Sequence, residues 1–288
     1  MRTFLFVNTL SGRYTPWRID KVVTCLKISG MPPTIFSVKT PAEIIARCRE
    51  INESEEATLV IVAGGDGTFN AVVNGLNPGN ATLAILPMGT SNVLAAEIGI
   101  TSITNGLERI AKGETRPLSL GLLEFPGSSH RFVLMAGIGM DGEVVRNVSP
   151  FAKRLLKQVA YVLSAIASIF KWDYSMIEIV TSEKVIRCHS VIVCNASRYG
   201  GDFIIAPEVN IFSPELTAVC ISKNRRRTYL QLALELLAGK LDTSGKLTRI
   251  PADGIEILGT KPIQLDGDFV GYSPARLTSI ANFARIIV

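Results

Sequence analysis

Three short polar stretches carry the residue types that phosphate chemistry needs. The most informative is Gly64-Gly65-Asp66-Gly67-Thr68, which cuts off the apolar run Val60-Ile61-Val62-Ala63 and leads into Phe69-Asn70 at the start of a helix-compatible segment, residues 69–76. A buried strand, a tight loop and a helix in that order aim backbone N–H groups at an anion. The glycines allow close approach of backbone to phosphate. Asp66 cannot hold phosphate directly, since like charges repel, so it is expected to handle a metal ion or a proton. The competing reading is a plain strand-turn-helix corner with Asp66 as the helix N-cap.

The other two stretches are Asn8-Thr9-Leu10-Ser11-Gly12 and Gly89-Thr90-Ser91-Asn92, each directly after an apolar run. Thr90 and Asn92 are short hydrogen-bonding side chains at a helix start, where capping is the alternative reading. The elements that must position all three follow from periodicity. Residues 3–7, 34–38, 58–63 and 83–86 read as strands, and residues 16–28, 40–51 and 102–112 as helices, with Pro16 suited to a first turn and Thr40-Pro41 offering an N-cap and a proline at the first position. Strands alternating with helices imply a parallel sheet with helices on both faces. Ligands of such sheets sit at the C-terminal strand ends, so the loops at Asn8, Gly64 and Gly89 should converge on one edge.

From Arg116 the texture changes. Residues 118–125, 131–139, 175–181, 185–194, 216–222, 254–258 and 262–265 read as strands separated by turns, which suggests a sandwich or barrel. The expected division is an α/β domain over 1–117 and a strand-rich domain over 118–288, with residues 277–288 able to return to the first. Two helices interrupt the strands, at 151–170 and 227–237. The first has a broad apolar face with Lys153, Arg154 and Lys157 at its start. It reads either as a helix packed on its own domain with a solvated basic end or as an element touching anionic headgroups. Arg225-Arg226-Arg227 invites the same two readings.

With 47% hydrophobic and 19% charged residues the chain is globular and not disordered. A net charge of +5 suits phosphate substrates or an anionic membrane surface, and no Arg/Lys stripe interleaved with aromatics argues for nucleic acid. Five scattered cysteines without a CxxC pair, and two histidines, argue against a zinc site and for buried thiols in a cytoplasmic protein. The longest apolar segment, 159–170, would span about 18 Å as a helix, short of the roughly 30 Å hydrocarbon core. Gly137-Ile138-Gly139-Met140-Asp141-Gly142 matches the dinucleotide fingerprint, but no acid stands at a second strand end about 20 residues on. P-loop and nucleophile-elbow motifs are absent.

Taken in order, Asn8-Thr9-Leu10-Ser11-Gly12, Gly64-Gly65-Asp66-Gly67-Thr68, Gly89-Thr90-Ser91-Asn92, Gly137-Ile138-Gly139-Met140-Asp141 and Leu265-Asp266-Gly267-Asp268 resemble the diacylglycerol kinase catalytic family, which includes bacterial lipid kinases and sphingosine kinases. The resemblance runs from residue 4 to the C-terminus. It implies an N-terminal α/β domain related to NAD kinases and phosphofructokinases, a C-terminal β-sandwich, and transfer of the γ-phosphoryl of ATP, with Mg²⁺, to a lipid hydroxyl in a cleft between them. It further implies a peripheral place at the inner membrane surface. By the same resemblance Asn8, Ser11, Gly12, Ser37, Gly64, Gly65, Asp66, Gly67, Thr68, Asn70, Thr90 and Asn92 contact the nucleotide, and Asp141 lies near the lipid headgroup. Asp66 and Asp268 are the two candidates for general base. Phosphoryl transfer needs positioning and charge neutralisation more than a strong base, and Asp268 is favoured because Asp66, beside phosphates, is better employed through Mg²⁺ or in orienting the acceptor.

The chain departs from that pattern at four places. Thr9 stands for Pro, Val93 for a second Asp, Asp268 for Glu, and Ser213-Pro214-Glu215 where some members have a metal-supporting Asp-Gly-Leu, so metal ligands stay unassigned. Two alternatives accompany the lipid kinase reading: an NAD kinase-like phosphotransferase, and a nucleotide- or lipid-binding protein without transfer activity.

Overall fold

The structure is a computed structural model that describes residues 2–53, 56–79, 81–147, 173–201, 203–238 and 245–288. The expected helix at 151–170, with Lys153, Arg154 and Lys157, lies outside the described residues. The chain divides into two compact units, one of residues 1–119 with 281–288 and one of residues 120–280.

In the first unit strands and helices alternate: β1 (Arg2–Asn8), α1 (Pro16–Ile28), β2 (Pro33–Val38), α2 (Pro41–Asn52), β3 (Thr58–Gly64), α3 (Asp66–Gly75), β4 (Thr82–Pro87), α4 (Val93–Glu97) and α5 (Ile103–Lys112). The strands pair in parallel in the order β2-β1-β3-β4. The end of the last strand of the chain adds beside β4, with Arg285 opposite Thr82 and Ile286 opposite Leu83. β3 is buried along its whole length, as a central strand covered on both faces must be. One face packs Leu5, Ile61 and Leu86 against Ile19, Val22 and Leu26 of α1 and Ile110 of α5. Helices α2 and α3 pack together so closely that a methyl on Gly75 would strike Cys48 Cβ at 2.7 Å.

Local sequence fixes where these helices start. Thr15 Oγ1 accepts from Arg18 N, Thr40 Oγ1 from Glu43 N and Ser102 Oγ from Asn105 N, and Pro16 and Pro41 occupy first-turn positions. One boundary differs from expectation. Helix α3 begins at Asp66 rather than Phe69, and its N-cap is Gly65, which supplies no side-chain bond. Gly67 and Thr68 therefore belong to the helix, and Asp66 is its first residue rather than its cap. Cys25 is exposed, unlike the buried thiol expected, because it lies off the face of α1 that carries Ile19, Val22 and Leu26.

The second unit is strand-rich: after β5 (Thr115–Phe125), which enters it, come β6 (Ser128–Phe132), β7 (Met135–Ile138), α6 (Met140–Asn147), β8 (Ile177–Val180), β9 (Val185–Cys188), β10 (Ser190–Cys194), β11 (Arg198–Tyr199), β12 (Phe203–Ile204), β13 (Leu216–Ile221), α7 (Arg226–Leu237), β14 (Leu247–Ala252), β15 (Gly254–Leu258), β16 (Pro262–Leu265), β17 (Asp268–Tyr272) and β18 (Ala275–Ile287). One antiparallel sheet runs β14-β13-β10-β7-β16-β17, and β15 joins β18 to β8 and β9 in another. Ile138, Val191 and Ile263 from the first meet Ile177, Ile179, Ile255, Ile257 and Leu277 from the second in one core, which makes this unit a sandwich.

Two expected strands are each broken. Residues 185–194 divide at His189, where the chain passes from one sheet to the other. There the imidazole turns inward, with Nδ1 2.6 Å from Tyr229 Oη and Nε2 2.7 Å from the Asp173 carbonyl. Residues 131–139 break at Val133-Leu134, and Asp266 is the cause. Its carboxylate accepts from the N–H groups of Val133 (2.7 Å), Leu134 (2.9 Å) and Met135 (2.9 Å). Asp266 and Gly267 have φ of 47° and 90° in the two-residue turn between β16 and β17, a geometry that favours Asp-Gly. Helix α6 and strands β11, β12, β14 and β17 were not expected from the sequence.

Lys261 is buried to 2% exposure and its Nζ donates to Asp173 Oδ2 at 2.6 Å. Burial raises the Asp173 carboxyl, but hydrogen bonds from Lys261 and from Ser175 N and Oγ outweigh it and bring the pKa to about 2. The unfolded value is about 3.9, so this pair's stabilisation is complete above that pH and is lost as pH falls through the folded value. Replacing Lys261 by Met should therefore flatten that part of the acid dependence in urea unfolding, and an unchanged slope would contradict the pairing. Asp266→Ala strands three backbone donors and should cost about 3 kcal/mol or more; a loss under about 1 kcal/mol would show that the turn holds by itself.

Candidate functional site

In the first unit the loops after β1, β3 and β4 meet, as parallel topology requires. Asn8, at the end of β1, donates from Nδ2 to Thr68 Oγ1 at 2.8 Å and accepts at Oδ1 from Leu10 N at 2.9 Å. Ser11 N donates to Asn8 O, and Arg13 N to Met88 O. The Thr68 side chain lies over Gly64, where a Cβ would meet it at 2.7 Å. Thr9, standing where the resembling family has proline, donates its N–H to Val38 O at 3.1 Å; a proline has no such donor.

The loops after β3 and β4 touch backbone to backbone. A Cβ on Gly89 would fall 2.6 Å from Gly65 Cα, and one on Gly65 would fall 3.0 Å from Gly89 Cα. Asn92, at φ 49°, closes its own loop by accepting from Gly89 N at 2.8 Å and donating to Gly89 O at 3.0 Å. Asp66 spans the two loops: Oδ2 accepts from Val93 N and Oδ1 from Leu94 N, both at 3.0 Å. Burial pushes its pKa up, and the Leu94 and Val93 N–H groups pull against that. The carboxylate thus begins α3 and caps α4 together.

What these contacts leave open is the rim. Gly67 in the first turn of α3 is exposed and a Cβ there would meet nothing within 4 Å. Gly12 and Thr90 are exposed, with Thr90 Oγ1 4.0 Å from a Cβ built on Gly12. Glycine backbone, a helix start and hydroxyls around an open edge fit phosphate groups. Ser37 is exposed on β2, in register with Val7, one position before Asn8. Asn70 faces along α3, its Oδ1 accepting from Asn74 Nδ2 at 2.9 Å.

The second unit carries the other two predicted acids. Asp141, in the first turn of α6, accepts from Tyr199 Oη at Oδ1 and from Gln264 Nε2 at Oδ2, the latter at 2.6 Å. Burial raises its pKa, opposed by those two donors. Gln264 Oε1 in turn accepts from Gly267 N at 2.7 Å, so one glutamine ties Asp141 to the turn that presents Asp268. Asp268 itself is exposed at the start of β17. Asp266, Gln264 and Tyr199 were not singled out from the sequence. Gly137-Ile138-Gly139-Met140-Asp141-Gly142 does turn from a strand into a helix, but β7 pairs antiparallel with both neighbours, unlike a dinucleotide-binding βαβ unit.

Among the described residues no group of three or more His, Cys, Asp or Glu could hold a metal ion. Mg²⁺ carried on nucleotide phosphates needs only one or two protein carboxylates. A cavity of about 30 Å³ in the second unit, lined by Gly139, Met140, Glu143, Asp173, His189, Lys261 and Pro262, has room for little more than water.

Known proteins are similar to both halves of the chain. The family model described as the diacylglycerol kinase catalytic domain matches residues 2–123, and that described as the YegS C-terminal NAD kinase beta sandwich-like domain matches residues 135–288. The chain belongs to this family of bacterial-type lipid kinases. It is 25% identical over 241 residues to a diacylglycerol kinase of Bacillus subtilis strain 168, covering 81% of this chain and 78% of that protein. It is 22% identical over 293 residues to a diacylglycerol kinase of Staphylococcus carnosus, covering 99% and 94%. Among solved structures, a diacylglycerol kinase from Bacillus anthracis superposes with a TM-score of 0.73 at 20% identity, covering 99% of this chain and 96% of that one. An NAD kinase from Archaeoglobus fulgidus in complex with ATP gives 0.52 at 14% identity, covering 100% and 94%. The expected fold class, a parallel α/β domain followed by a β-sandwich, is borne out.

A substitution at Gly67 can separate a role in phosphate binding from a role in folding. Its φ lies outside the left-handed region and a methyl has space, so Gly67→Ala should keep or raise stability, by up to about 1 kcal/mol. If Gly67 lines a phosphate site, the same methyl obstructs it, and ATP affinity in titration calorimetry should fall about tenfold or more. Undiminished affinity would remove Gly67 from the site.

Proposed function

We propose that the chain is an ATP-dependent lipid kinase that transfers the γ-phosphoryl group of ATP, with Mg²⁺, to the hydroxyl of a diacylglycerol- or sphingosine-like acceptor. The observation that carries the reading is the meeting of three glycine-containing loops around an open edge, in a chain of lipid-kinase family. In this reading Asn8, Ser11, Gly12, Gly64, Gly65, Gly67, Thr68, Thr90 and Asn92 form the nucleotide site, with Ser37 and Asn70 at its margins. Backbone N–H groups at the start of α3 neutralise phosphate charge. When bound, Mg²⁺ supplies further neutralisation on the phosphate oxygens.

Asp66 acts here as a positioning residue. Its oxygens hold the start of α4 against α3, so the Gly65 and Gly89 backbones stay in contact while phosphate is bound. Asp268 is the group assigned to the acceptor hydroxyl proton, and its exposure at the head of β17 supports that assignment. The turn before it is fixed from two sides, by Asp266 and by Gln264. Asp141 orients the lipid headgroup through the lone pairs that Tyr199 and Gln264 leave. Among the described residues no helix is long and apolar enough to cross a membrane, and the proposed acceptor would be met at the inner membrane surface from the cytoplasm.

The test is transfer itself. Protein, γ-labelled ATP and Mg²⁺ are incubated with diacylglycerol, monoacylglycerol, sphingosine, ceramide and NAD in parallel. Label in one or more lipids is the expected result. Label in NAD alone would replace this reading with an NAD kinase-like one, and tight ATP binding without label in any acceptor would leave a binding protein. Asp268→Asn should lower turnover on the lipid at least about 100-fold while ATP affinity stays within about twofold.

A further inference from the structure

Helix α7 exposes two leucines on the side away from the one it buries. The side it buries carries Thr228 at 4% exposure and Leu232 at 7%, and the half-buried Tyr229 donates its hydroxyl to Ser190 Oγ at 2.8 Å. The opposite side carries Leu230 at 48% and Leu234 at 67%. Residues four apart lie one above the other on a helix, so these two leucines form one exposed stripe. Arg226 and Arg227, four and three residues before Leu230, extend it toward the helix start. Ile204, on the β12 strand that α7 packs against, is also 49% exposed.

The charge at the helix start runs equally against habit. Lys223, Arg225, Arg226 and Arg227 are all exposed around the first turn, which holds no acidic residue. A helix N-terminus carries partial positive charge, so arginines there oppose the dipole and weaken the helix. Exposed leucine and N-terminal arginine are both unfavourable in water, and both become favourable against one kind of surface. An anionic bilayer offers negative headgroups to the arginines and acyl boundary to the leucines one turn further on. Arg226 also has a protein contact, which does not remove its charge from that surface.

We infer that α7 is a membrane-docking element, with Lys223, Arg225, Arg226 and Arg227 on anionic phospholipid headgroups and Leu230 and Leu234 seated at the acyl boundary. The docking rests on the lipid kinase reading for its purpose, but the flotation that tests it uses no turnover.

The experiment is flotation of the full chain with phosphatidylcholine vesicles, with and without phosphatidylglycerol, at low and high salt. The protein should float with the anionic vesicles only, and salt should release it. Replacing Arg225, Arg226 and Arg227 together by Gln should weaken partitioning about 100-fold, at about fivefold per charge. Leu230→Gln with Leu234→Gln should weaken it about tenfold or more, and both variants should unfold at the parent's temperature. Variants that float like the parent, or a parent indifferent to phosphatidylglycerol, would overturn the inference. So would sedimentation equilibrium showing that the leucine stripe pairs two copies of the chain. Transfer to a short-chain diacylglycerol in detergent micelles separates the two proposals: the variants should keep it, whereas its absence in the parent would count against the kinase reading and leave the docking result standing.

Discussion

Every part of the candidate nucleotide edge depends on two backbones being able to touch, Gly65 against Gly89, and on one carboxylate that keeps them there. No side chain larger than hydrogen fits between the two glycines. Contact alone would be loose, because two loops without side chains between them have little to lock. Asp66 supplies the lock. Its two oxygens take the first two N–H groups of α4 at 3.0 Å each, charge-assisted bonds of the stronger kind. The cost is burial of a carboxylate, visible in its raised pKa. The acid that looked most reactive in the sequence is thus the one most committed to holding backbone.

The second unit solves a related problem with the same chemistry. Asp266 collects three backbone N–H groups and so interrupts a strand that hydrophobic pattern alone would continue. Asp141 takes two side-chain donors, and one of them, Gln264, passes the constraint on to Gly267. In each unit, acids that accept from protein donors fix the structure around them, and the exposed groups lie beside them: Gly67 and Thr90 in one, Asp268 in the other. Preorganisation of this kind suits phosphoryl transfer, where positioning and charge neutralisation dominate.

Much of this was legible in the sequence, for reasons that can be stated. Helix starts at Thr15-Pro16, Thr40-Pro41 and Ser102 are set by groups within three residues, so local reading finds them. The meeting of the Asn8, Gly64 and Gly89 loops follows from parallel topology, which alternation reveals. Asp266 was opaque because its three partners lie more than 130 residues away. Gln264 and Tyr199 carry no signal short of the fold that brings them to Asp141. The start of α3 was misread because Asp66-Gly67-Thr68 has the composition of a loop, and the break at His189 because no glycine or proline marks the change of sheet. In α7 the spacing does not say which leucines are buried: Leu232 is, whereas Leu230 and Leu234 point outward.

The account stands on the claim that three separate loops of the first unit form a single nucleotide site. Hydrogen exchange measured by mass spectrometry, with and without saturating ATP and Mg²⁺, addresses it directly. Slower exchange on ATP addition is expected together in peptides covering residues 8–14, 64–70 and 88–94, with residues 16–28 of α1 unchanged as an internal reference. ATP binding that protects none of these loops, or only one of them, would contradict it.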